Sequence, residues 1–336
     1  MKRAGNLIGA IASPDNLRLA FWKAAKGKRY KAEVISYSAH LDKELMHLRS
    51  QLLNGKVSTG NYHYFTIYDP KERIICAASF PERVLHHALM NVCHDAFDLF
   101  QIEDSYATRR GLGTYAALNR ASNFHKKNSY FLKMDVRKYF DSIDHEILKG
   151  LLRKRFKDHQ LLMIFDKIID SYHTKVGFGI PIGNLTSQYF ANFYLAFADR
   201  YVKQGIGMKA YVRYMDDMVI WDKDKDRLKE VGNAFSDYLN INLKLELKIK
   251  YLNRSRHGLS FLGYRLYPEE WCLNKRSKIR YELKLRKYLK NFEEGIWDEN
   301  DLESHLRPLL AFTEHANTKG FRMEVLNKIK DNCRGL

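Results

Sequence analysis

The architecture follows from the pattern of one segment, Tyr211-Val212-Arg213-Tyr214-Met215-Asp216-Asp217-Met218-Val219-Ile220-Trp221. Two short β-prone runs flank Met-Asp-Asp, which predicts an antiparallel hairpin. Adjacent carboxylates repel each other, and a tight turn usually takes Asn-Gly or Asp-Gly. Divalent cations would give the pair a purpose, because Mg²⁺ is often held by one or two carboxylates plus substrate phosphates. Alone, the pattern is more typical of an exposed acidic turn.

A second predicted strand also ends in a carboxylate, outside the hairpin. The apolar run Tyr130–Asp135 predicts a buried strand that ends in Asp135. Asp141 and Asp144 are nearby alternatives, but Asp144 precedes an apolar helical pattern that starts at His145. We therefore expect Asp144 to cap that helix. The sequence predicts a metal site shared by Asp135 and the hairpin.

Composition indicates a globular, basic protein. The 336 residues include 57 Lys and Arg against 39 acidic residues, a formal charge of +18. This surplus favours a polyanionic partner, with RNA, DNA or an anionic membrane surface left open by charge alone. No apolar run is long enough to span a membrane and no signal peptide is evident, so we expect no membrane association and a cytoplasmic location. The four cysteines lack C-x-x-C spacing, so neither a disulfide framework nor a zinc site is predicted.

Hydrophobic periodicity predicts the remaining helices and strands. Residues 1–55 read as mainly helical, with a helix at His40–Leu53 that ends near Gly55. Further patterns predict strands within 61–79, helices at 81–100, 145–155 and 186–202, a Gly-rich loop at 177–183, and a strand and turn at 260–265. The remainder from about 275 reads as helical, and its first helix pairs a basic face with an apolar stripe.

Four segments occur in an order that resembles bacterial reverse transcriptases of group II introns and retroelements. They are Phe131–Ile143, Gly179–Asn192, Tyr214–Asp217 and Phe261–Tyr264. Upstream, 83–89 and 105–111 look like the finger segments of that family. The resemblance implies an α+β right-hand polymerase fold with fingers, a palm built on an antiparallel sheet, and a helical thumb. It divides the chain into a basic helical extension (1–55), fingers (56–125), palm (126–268, with finger-associated helices at 145–178) and a basic thumb (269–336).

The resemblance also implies an activity and a site. The activity is RNA-directed DNA synthesis, a nucleotidyl transfer with two Mg²⁺ ions, for which Mn²⁺ is an alternative. Asp135 and Asp216 would bind the ions directly, the backbone of Val136 would assist, and Asp217 would support them as the third catalytic carboxylate. The implied substrates are dNTPs, an RNA template and a DNA or RNA primer.

Other roles follow from the same resemblance. It places Lys71, Arg73, Phe140, Ile182, Gly183 and Gln188 around the incoming nucleotide, with Phe140 excluding a 2′-hydroxyl. It places Tyr214, Gly263, Tyr264, Lys278, Arg280 and Lys284 along the primer and template. Either Lys248 or Lys250 would protonate the leaving pyrophosphate. The plainer alternatives are an exposed charged turn at 71–73, a core phenylalanine at 140, solvated strand lysines and an ordinary hairpin at 261–264.

The sequence of one loop indicates which subfamily the chain resembles. Ile182 stands where most bacterial relatives carry glutamine, and together with Ser187-Gln188 it is similar to the enzymes of diversity-generating retroelements. Those enzymes copy a template-repeat RNA with errors at adenines (mutagenic retrohoming) and work with a small pentameric accessory variability protein. The alternatives are a phage-defence, retron-type or CRISPR-associated reverse transcriptase, or a catalytically idle RNA-binding protein on the same scaffold. Ile182 could also simply pack in its loop.

Overall fold

The computed structural model describes residues 3–68 and 72–334, without the side chains of Ile249 and of residues beyond Ile329. Lys71, assigned above to the nucleotide, lies outside the described residues. The N-terminal part is helical, as predicted: α1 (Ile8–Ile11), α2 (Pro14–Ala25), α3 (Ala32–Ala39) and α4 (Leu41–Asn54). Helix α4 ends at Gly55, whose φ of 65° lies in the left-handed region that glycine adopts without strain.

A hairpin and two long helices follow. Strand β1 (Tyr62–Ile67) pairs antiparallel with β2 (Arg73–Ala78), so the predicted strands of this region are confirmed. Helix α5 (Phe80–Asp98) is the expected helix, and its buried face includes Val84, Leu85 and Leu89. Helix α6 (Thr114–Lys127), which sequence patterns did not predict, packs against the hairpin strand β4 described next.

The central sheet has four antiparallel strands. They are β3 (Tyr130–Val136), β4 (Tyr211–Tyr214), β5 (Asp217–Asp222) and β6 (Leu247–Arg254), in the spatial order β4-β5-β3-β6. Leu132 and Met134 belong to the larger core and Phe131 to a second core, because successive side chains of a strand point to opposite faces. The predicted hairpin and strand β3 are confirmed, whereas the fourth strand, β6, had no predicted bounds and was implied only by the alternative of solvated strand lysines at 248 and 250.

Helices cover the larger core. These are α7 (Tyr139–Ser142), α8 (His145–Arg155), α9 (His159–Asp170), α10 (Leu185–Arg200) and α11 (Lys225–Leu243). The Asp144 carboxylate accepts a hydrogen bond from the Ile147 amide at 3.0 Å and one from Lys244 Nζ at 2.6 Å. The prediction that Asp144 caps α8 is therefore confirmed.

A small sheet joins the central sheet to the C-terminal helices. It consists of β7 (Leu259–Phe261), β8 (Tyr264–Leu266) and β9 (Trp271–Leu273), and it leads to α12 (Lys275–Glu293), α13 (Glu299–Glu314) and α14 (Lys319–Arg334). The Tyr264 hydroxyl donates to the Phe312 carbonyl at 2.6 Å, which ties the small sheet to α13. Within the described part of the chain, no helix combines the length and the apolar character needed to span a bilayer.

Candidate active site

Three carboxylates meet at one end of the central sheet. Asp135 in β3 lies directly opposite Asp217, the first residue of β5, and Asp216 precedes it in the turn from β4. Directly paired residues of antiparallel strands have Cα atoms about 4.5–5.5 Å apart and side chains on the same face. Residues more than 80 positions apart in sequence are thus brought within reach of one another. The pairing of β3 with β6 is irregular between Asp135 and Val136, a bulge of the kind that re-aims side chains beside active sites.

The turn that carries Asp216 is strained. Met215 has a φ of 53°, a left-handed conformation that costs a non-glycine residue about 1–2 kcal/mol. A two-residue hairpin loop with positive φ at its first position favours glycine there. Because the sequence places methionine at this point, other contacts must hold the turn.

Arg213 supplies those contacts. Its side chain is fully buried, and its guanidinium donates to Asp199 at 2.6 to 2.8 Å, to Asn192 Oδ1 at 2.6 Å and to the Met215 carbonyl at 3.2 Å. The Tyr211 hydroxyl donates to the same Asp199 carboxylate at 2.7 Å. This buried network holds the turn that carries Asp216 in place. Sequence analysis missed it, because no local pattern pairs Arg213 with an aspartate on α10.

The two adjacent carboxylates of the hairpin, Asp216 and Asp217, have raised pKa values, as expected where nearby positive charge is insufficient. Burial raises the pKa of Asp216 to about 6, with a further rise from the nearby Asp135 and an opposing effect of Arg73. Burial also raises the pKa of Asp217 to about 6, against the lowering effect of Lys133. A bound cation would reverse both effects because it favours the ionised forms.

The donor set fits Mg²⁺ rather than a metal held by protein ligands alone. In residues 3–68 and 72–334 no three histidine, cysteine, aspartate or glutamate side chains form a ready-made metal cluster. Mg²⁺, however, commonly takes one or two carboxylates and completes its shell with substrate phosphates and water. Asp217 Oδ1 is buried and accepts no well-oriented hydrogen bond from the described residues, although Lys133 Nζ lies 3.0 Å from it. A hard cation such as Mg²⁺ would supply the positive charge that these carboxylate oxygens lack.

Lys133 links the carboxylates to the small sheet. Its ammonium donates to Asp217 Oδ2 at 3.1 Å and to the Ser260 carbonyl at 2.8 Å. It lies two residues before Asp135 on the same face of β3, diagonally across from Asp217. Sequence analysis did not select it, although its spacing of two from Asp135 was the available signal.

Replacing Lys133 with methionine is expected to slow the nucleotidyl transfer that the resemblance implies about tenfold, because Asp217 loses the cation that orients it (~1.4 kcal/mol). KM for the nucleotide should change by less than about threefold, since the described contacts of Lys133 are with Asp217, the Ser260 carbonyl and the Phe261 ring rather than with Arg73 or the glycine-rich loop. Steady-state kinetics of Lys133→Met and of Lys133→Arg test this. Arginine should restore part of the lost kcat, and equal loss in both variants would contradict the positioning role.

The glycine-rich loop approaches β2 at the expected place. The Cys76 amide donates to the Ile182 carbonyl at 2.8 Å, and Asn184 Oδ1 accepts from the Ala78 amide at 2.9 Å. Gly183 has a φ of 122°, and a Cβ there would lie 2.7 Å from Ile75 Cγ2. Only glycine allows this close approach without displacing the strand.

The other residues assigned to the nucleotide are placed differently. Arg73, exposed on β2, is close enough to Asp216 to lower its pKa against the effects of burial and Asp135. Phe140 is half-buried against the larger core, and Gln188 is exposed in the first turn of α10. The structure brings Arg73 toward the carboxylates and leaves the contacts of Phe140 and Gln188 with a nucleotide as predictions.

The two lysines proposed as pyrophosphate acids differ in position. Lys250 donates to Asn233 Oδ1 on α11, and its Cε would lie 2.9 Å from a Cβ at Gly232. It pairs with Met134, whose side chain belongs to the larger core, so it faces away from Asp135. Lys248 is exposed at the strand irregularity beside Asp135, so only Lys248 stays a candidate.

The residues assigned to the primer divide into two groups. Tyr214 is half-buried at the hairpin, and its hydroxyl lies 3.5 Å from Thr114 Oγ1. Tyr264 is fully buried in the joint with α13, so its side chain is not available to a primer. Gly263 belongs to the same joint, because a Cβ there would lie 3.1 Å from the Phe312 ring and 3.2 Å from Ser277 Oγ.

The basic residues of α12 also separate by face. Arg280 and Lys284 line a cavity of about 690 Å³ that extends to Tyr68, at the end of the β1–β2 hairpin. Lys278 instead lies over the Phe321 ring, with its Nζ 5.4 Å from the ring centre. Two of the three predicted cations thus line the gap between the hairpin and the C-terminal helices, and the third packs toward α14.

Comparison with known proteins agrees with this arrangement. Residues 69–266, more than half of the chain, match the family described as reverse transcriptase (RNA-dependent DNA polymerase). The retron Ec73 reverse transcriptase of Escherichia coli is 25% identical over 281 residues, which are 76% of this chain and 81% of that protein. The putative COX1/OXI3 intron 2 protein of Saccharomyces cerevisiae is 20% identical over 281 residues, 64% of this chain. This chain spans only 31% of the length of the intron protein.

Solved structures similar to this one include apo telomerase from Candida tropicalis, truncated from its C-terminal domain. It is 13% identical, with a TM-score of 0.49, and the match covers 64% of this chain and 55% of that chain. The family match, the four-stranded antiparallel sheet, the β1–β2 hairpin and the C-terminal helices confirm the predicted α+β right-hand polymerase fold. The chain belongs to the reverse transcriptase family.

Proposed function

We propose that the protein is an RNA-directed DNA polymerase, which joins dNTPs to a primer 3′-end on an RNA template. The observation that carries the proposal is the pairing of Asp135 with Asp217, beside Asp216, at one end of the sheet. Membership of the reverse transcriptase family supports it. A purified preparation supplied with an RNA template, an annealed DNA primer, dNTPs and Mg²⁺ should extend the primer. A folded preparation that extends none would overturn the proposal.

The proposed mechanism assigns a role to each carboxylate. Asp135 and Asp216 would hold two Mg²⁺ ions, with the backbone carbonyl of Val136, and Asp217 would support them from its contact with Lys133. When bound, such ions lower the barrier by stabilising the attacking 3′-oxygen and the leaving pyrophosphate. Arg73, on the facing hairpin, is suited to the triphosphate because a guanidinium matches phosphate geometry.

The gap beside the C-terminal helices and its cationic side chains support the proposed substrates. The gap lined by Tyr68, Arg280 and Lys284 would receive the template and primer, whose phosphates these cations would neutralise. Phe140 would exclude a ribose 2′-hydroxyl and so favour dNTPs. The division into extension, fingers, palm and thumb given above, and a location in the cytoplasm of a bacterial host, belong to the same proposal.

We further propose that the template is the repeat RNA of a diversity-generating retroelement, copied with errors at adenines. Ile182 supports this, because its carbonyl is fixed to Cys76 and its branched apolar side chain stands where a glutamine would offer hydrogen bonds to the nucleotide. A pentameric accessory protein would belong to the same system. Sequencing of cDNA made from the cognate RNA should show substitutions concentrated at adenines, and faithful copies would overturn this assignment while leaving the polymerase proposal standing.

Substituting glutamine for Ile182 should lower misincorporation opposite template adenines, by about fivefold or more, which corresponds to ~1 kcal/mol of discrimination. The unfolding temperature should change little, because Ile182 is only half-buried and its fixed contact is made by the backbone. Deep sequencing of cDNA from wild type and from Ile182→Gln measures the error rates. Ile182→Leu is the matched control and should keep the wild-type spectrum, and unchanged errors in the glutamine variant would contradict the role of the side chain.

A retron-type enzyme is the second candidate, favoured by the similarity to the retron Ec73 reverse transcriptase over 81% of that protein. In that case the cDNA would show no excess of errors at template adenines. The same sequencing experiment separates the two functions, because only the first produces adenine-centred errors. A catalytically idle scaffold is disfavoured, since all three carboxylates are present and converge.

A further inference from the structure

A second basic cavity lies at the opposite end of strand β3 from the carboxylates. It measures about 480 Å³, and its wall is formed by Lys127, Asn128, Ser129, Tyr130, Arg254 and Arg256, among others. Tyr130 and Asp135 are five residues apart on one strand, which at about 3.3–3.4 Å per residue places the two sites roughly 17 Å apart. The cavity shares no lining residue with the proposed template–primer gap, so the two are distinct.

The floor of this cavity is rigid. His125 is fully buried, and its Nδ1 accepts a hydrogen bond from Trp221 Nε1 at 3.1 Å, so its Nε2 carries the proton and donates to the Ser255 carbonyl at 2.8 Å. Burial lowers the pKa of His125 to about 4, which keeps the ring neutral. The Ser255 hydroxyl donates to the Asn128 carbonyl at 2.6 Å. The loop after α6 and the end of β6 are thus locked together around a preformed hollow.

The charge around the hollow is unbalanced. Lys126 pairs with Glu269 at 2.8 Å on the rim, but Lys127, Arg254 and Arg256 are exposed and contact no acidic side chain in the described residues. Three cations around one hollow make a site for a polyanion. Tyr130 adds an aromatic residue to the lining, and the exposed Ser129 adds a residue that carries a hydroxyl.

We propose that this cavity binds an unpaired segment of RNA outside the template–primer gap. Its volume of about 480 Å³ lies in the range of about 300–1,000 Å³ typical of small-ligand pockets, so a single unpaired nucleotide fits. Combined cations and an aromatic ring are the usual means of binding single strands, and a wall hydroxyl suits a 2′-hydroxyl. The RNA partner rests on the proposed function, whereas the cavity and its charge do not.

The test uses protein whose main gap is already filled with a chain-terminated primer annealed to its RNA template. To this complex we would add a fluorescent, unstructured RNA of about 12 nucleotides, within the usual site size for single strands. Wild type should bind one further RNA, and Lys127→Glu/Arg254→Glu/Arg256→Glu should bind it at least about tenfold more weakly. The slope of the logarithm of the binding constant against the logarithm of the salt concentration should be smaller in magnitude by about 2 for the variant. This is the change expected when three phosphate contacts on a single strand are lost.

The control carries the same charge change elsewhere. Lys31→Glu/Lys43→Glu/Lys56→Glu alters exposed lysines in and beside the N-terminal helices and should keep affinity within about twofold. Equal loss in the control, no loss in the cavity variant, or equally tight binding of a DNA of the same sequence would overturn the proposal. The cavity variant should still extend the short hybrid and Asp216→Asn should still bind the second RNA, so failure of this proposal and failure of the polymerase proposal are distinguishable.

Discussion

Asp216→Asn is expected to reduce DNA synthesis by about a thousandfold or more, because a lost metal ligand removes several kcal/mol of charge stabilisation at 1.36 kcal/mol per factor of ten. KM for dNTP and affinity for the template–primer hybrid should change far less, since the backbone and Arg73 are untouched. Single-turnover primer extension in Mg²⁺ measures the loss. Asp222→Asn, at the far end of strand β5 from the turn that carries Asp216, is the matched control and should keep nearly full activity.

The same substitution should stabilise the metal-free protein. In the folded chain the pKa of Asp216 is raised to about 6, above its usual value of 3.8, so its ionised form opposes folding at neutral pH. Removing the charge should increase the free energy of unfolding by ~3 kcal/mol at pH 7. The difference between variant and wild type should shrink as pH falls from about 6 to about 4, because the wild-type carboxyl then protonates. Denaturant titrations at pH 7 and pH 4.5 measure this, and a less stable variant at pH 7 would contradict the crowding of Asp135 and Asp216.

Arg213→Met is expected to destabilise the fold by about 3–5 kcal/mol, because it leaves the fully buried Asp199 carboxylate without its cation. It also removes the hydrogen bond to the Met215 carbonyl, so the strained turn should lose its position and DNA synthesis should fall more than tenfold even in the folded fraction. Urea unfolding and primer extension below the transition measure the two effects separately.

A double variant separates charge from positioning. Arg213→Met/Asp199→Leu removes both charges and should recover much of the lost stability, as buried ion pairs replaced by apolar residues often do. Activity should remain low, because Met215 still lacks its donor. Recovery of activity together with stability would show that Arg213 acts only through the charge of Asp199 and would contradict its role in holding the turn.

Local patterns predicted the elements that carry the chemistry. The hairpin at 211–221 and strand β3 follow from alternation, apolar runs and turn residues, and Asp144 was recognised as a helix cap because capping is a local interaction. Convergence of Asp135 with the hairpin was inferred from the position of carboxylates at strand ends. The register that places it opposite Asp217 needed the structure.

Other features depend on contacts between residues that are distant in sequence, so short sequence patterns do not predict them. Strand β6 reads as a charged, ambiguous segment and becomes a strand by pairing with β3. The Arg213–Asp199 pair and the contact of Lys133 with Asp217 join separate elements, so no short motif reveals them. Tyr264 was assigned to the primer by resemblance, but the packing of α13 buries it.

The central claim is that Asp135 and the hairpin carboxylates form one catalytic centre. Its most direct test is primer extension on an RNA template by Asp135→Asn beside wild type, with dNTPs and saturating Mg²⁺, after circular dichroism has shown both to be folded. The account predicts full-length cDNA from wild type and a rate at least about a thousandfold lower from Asp135→Asn. Extension by the variant at a rate near that of wild type would contradict it.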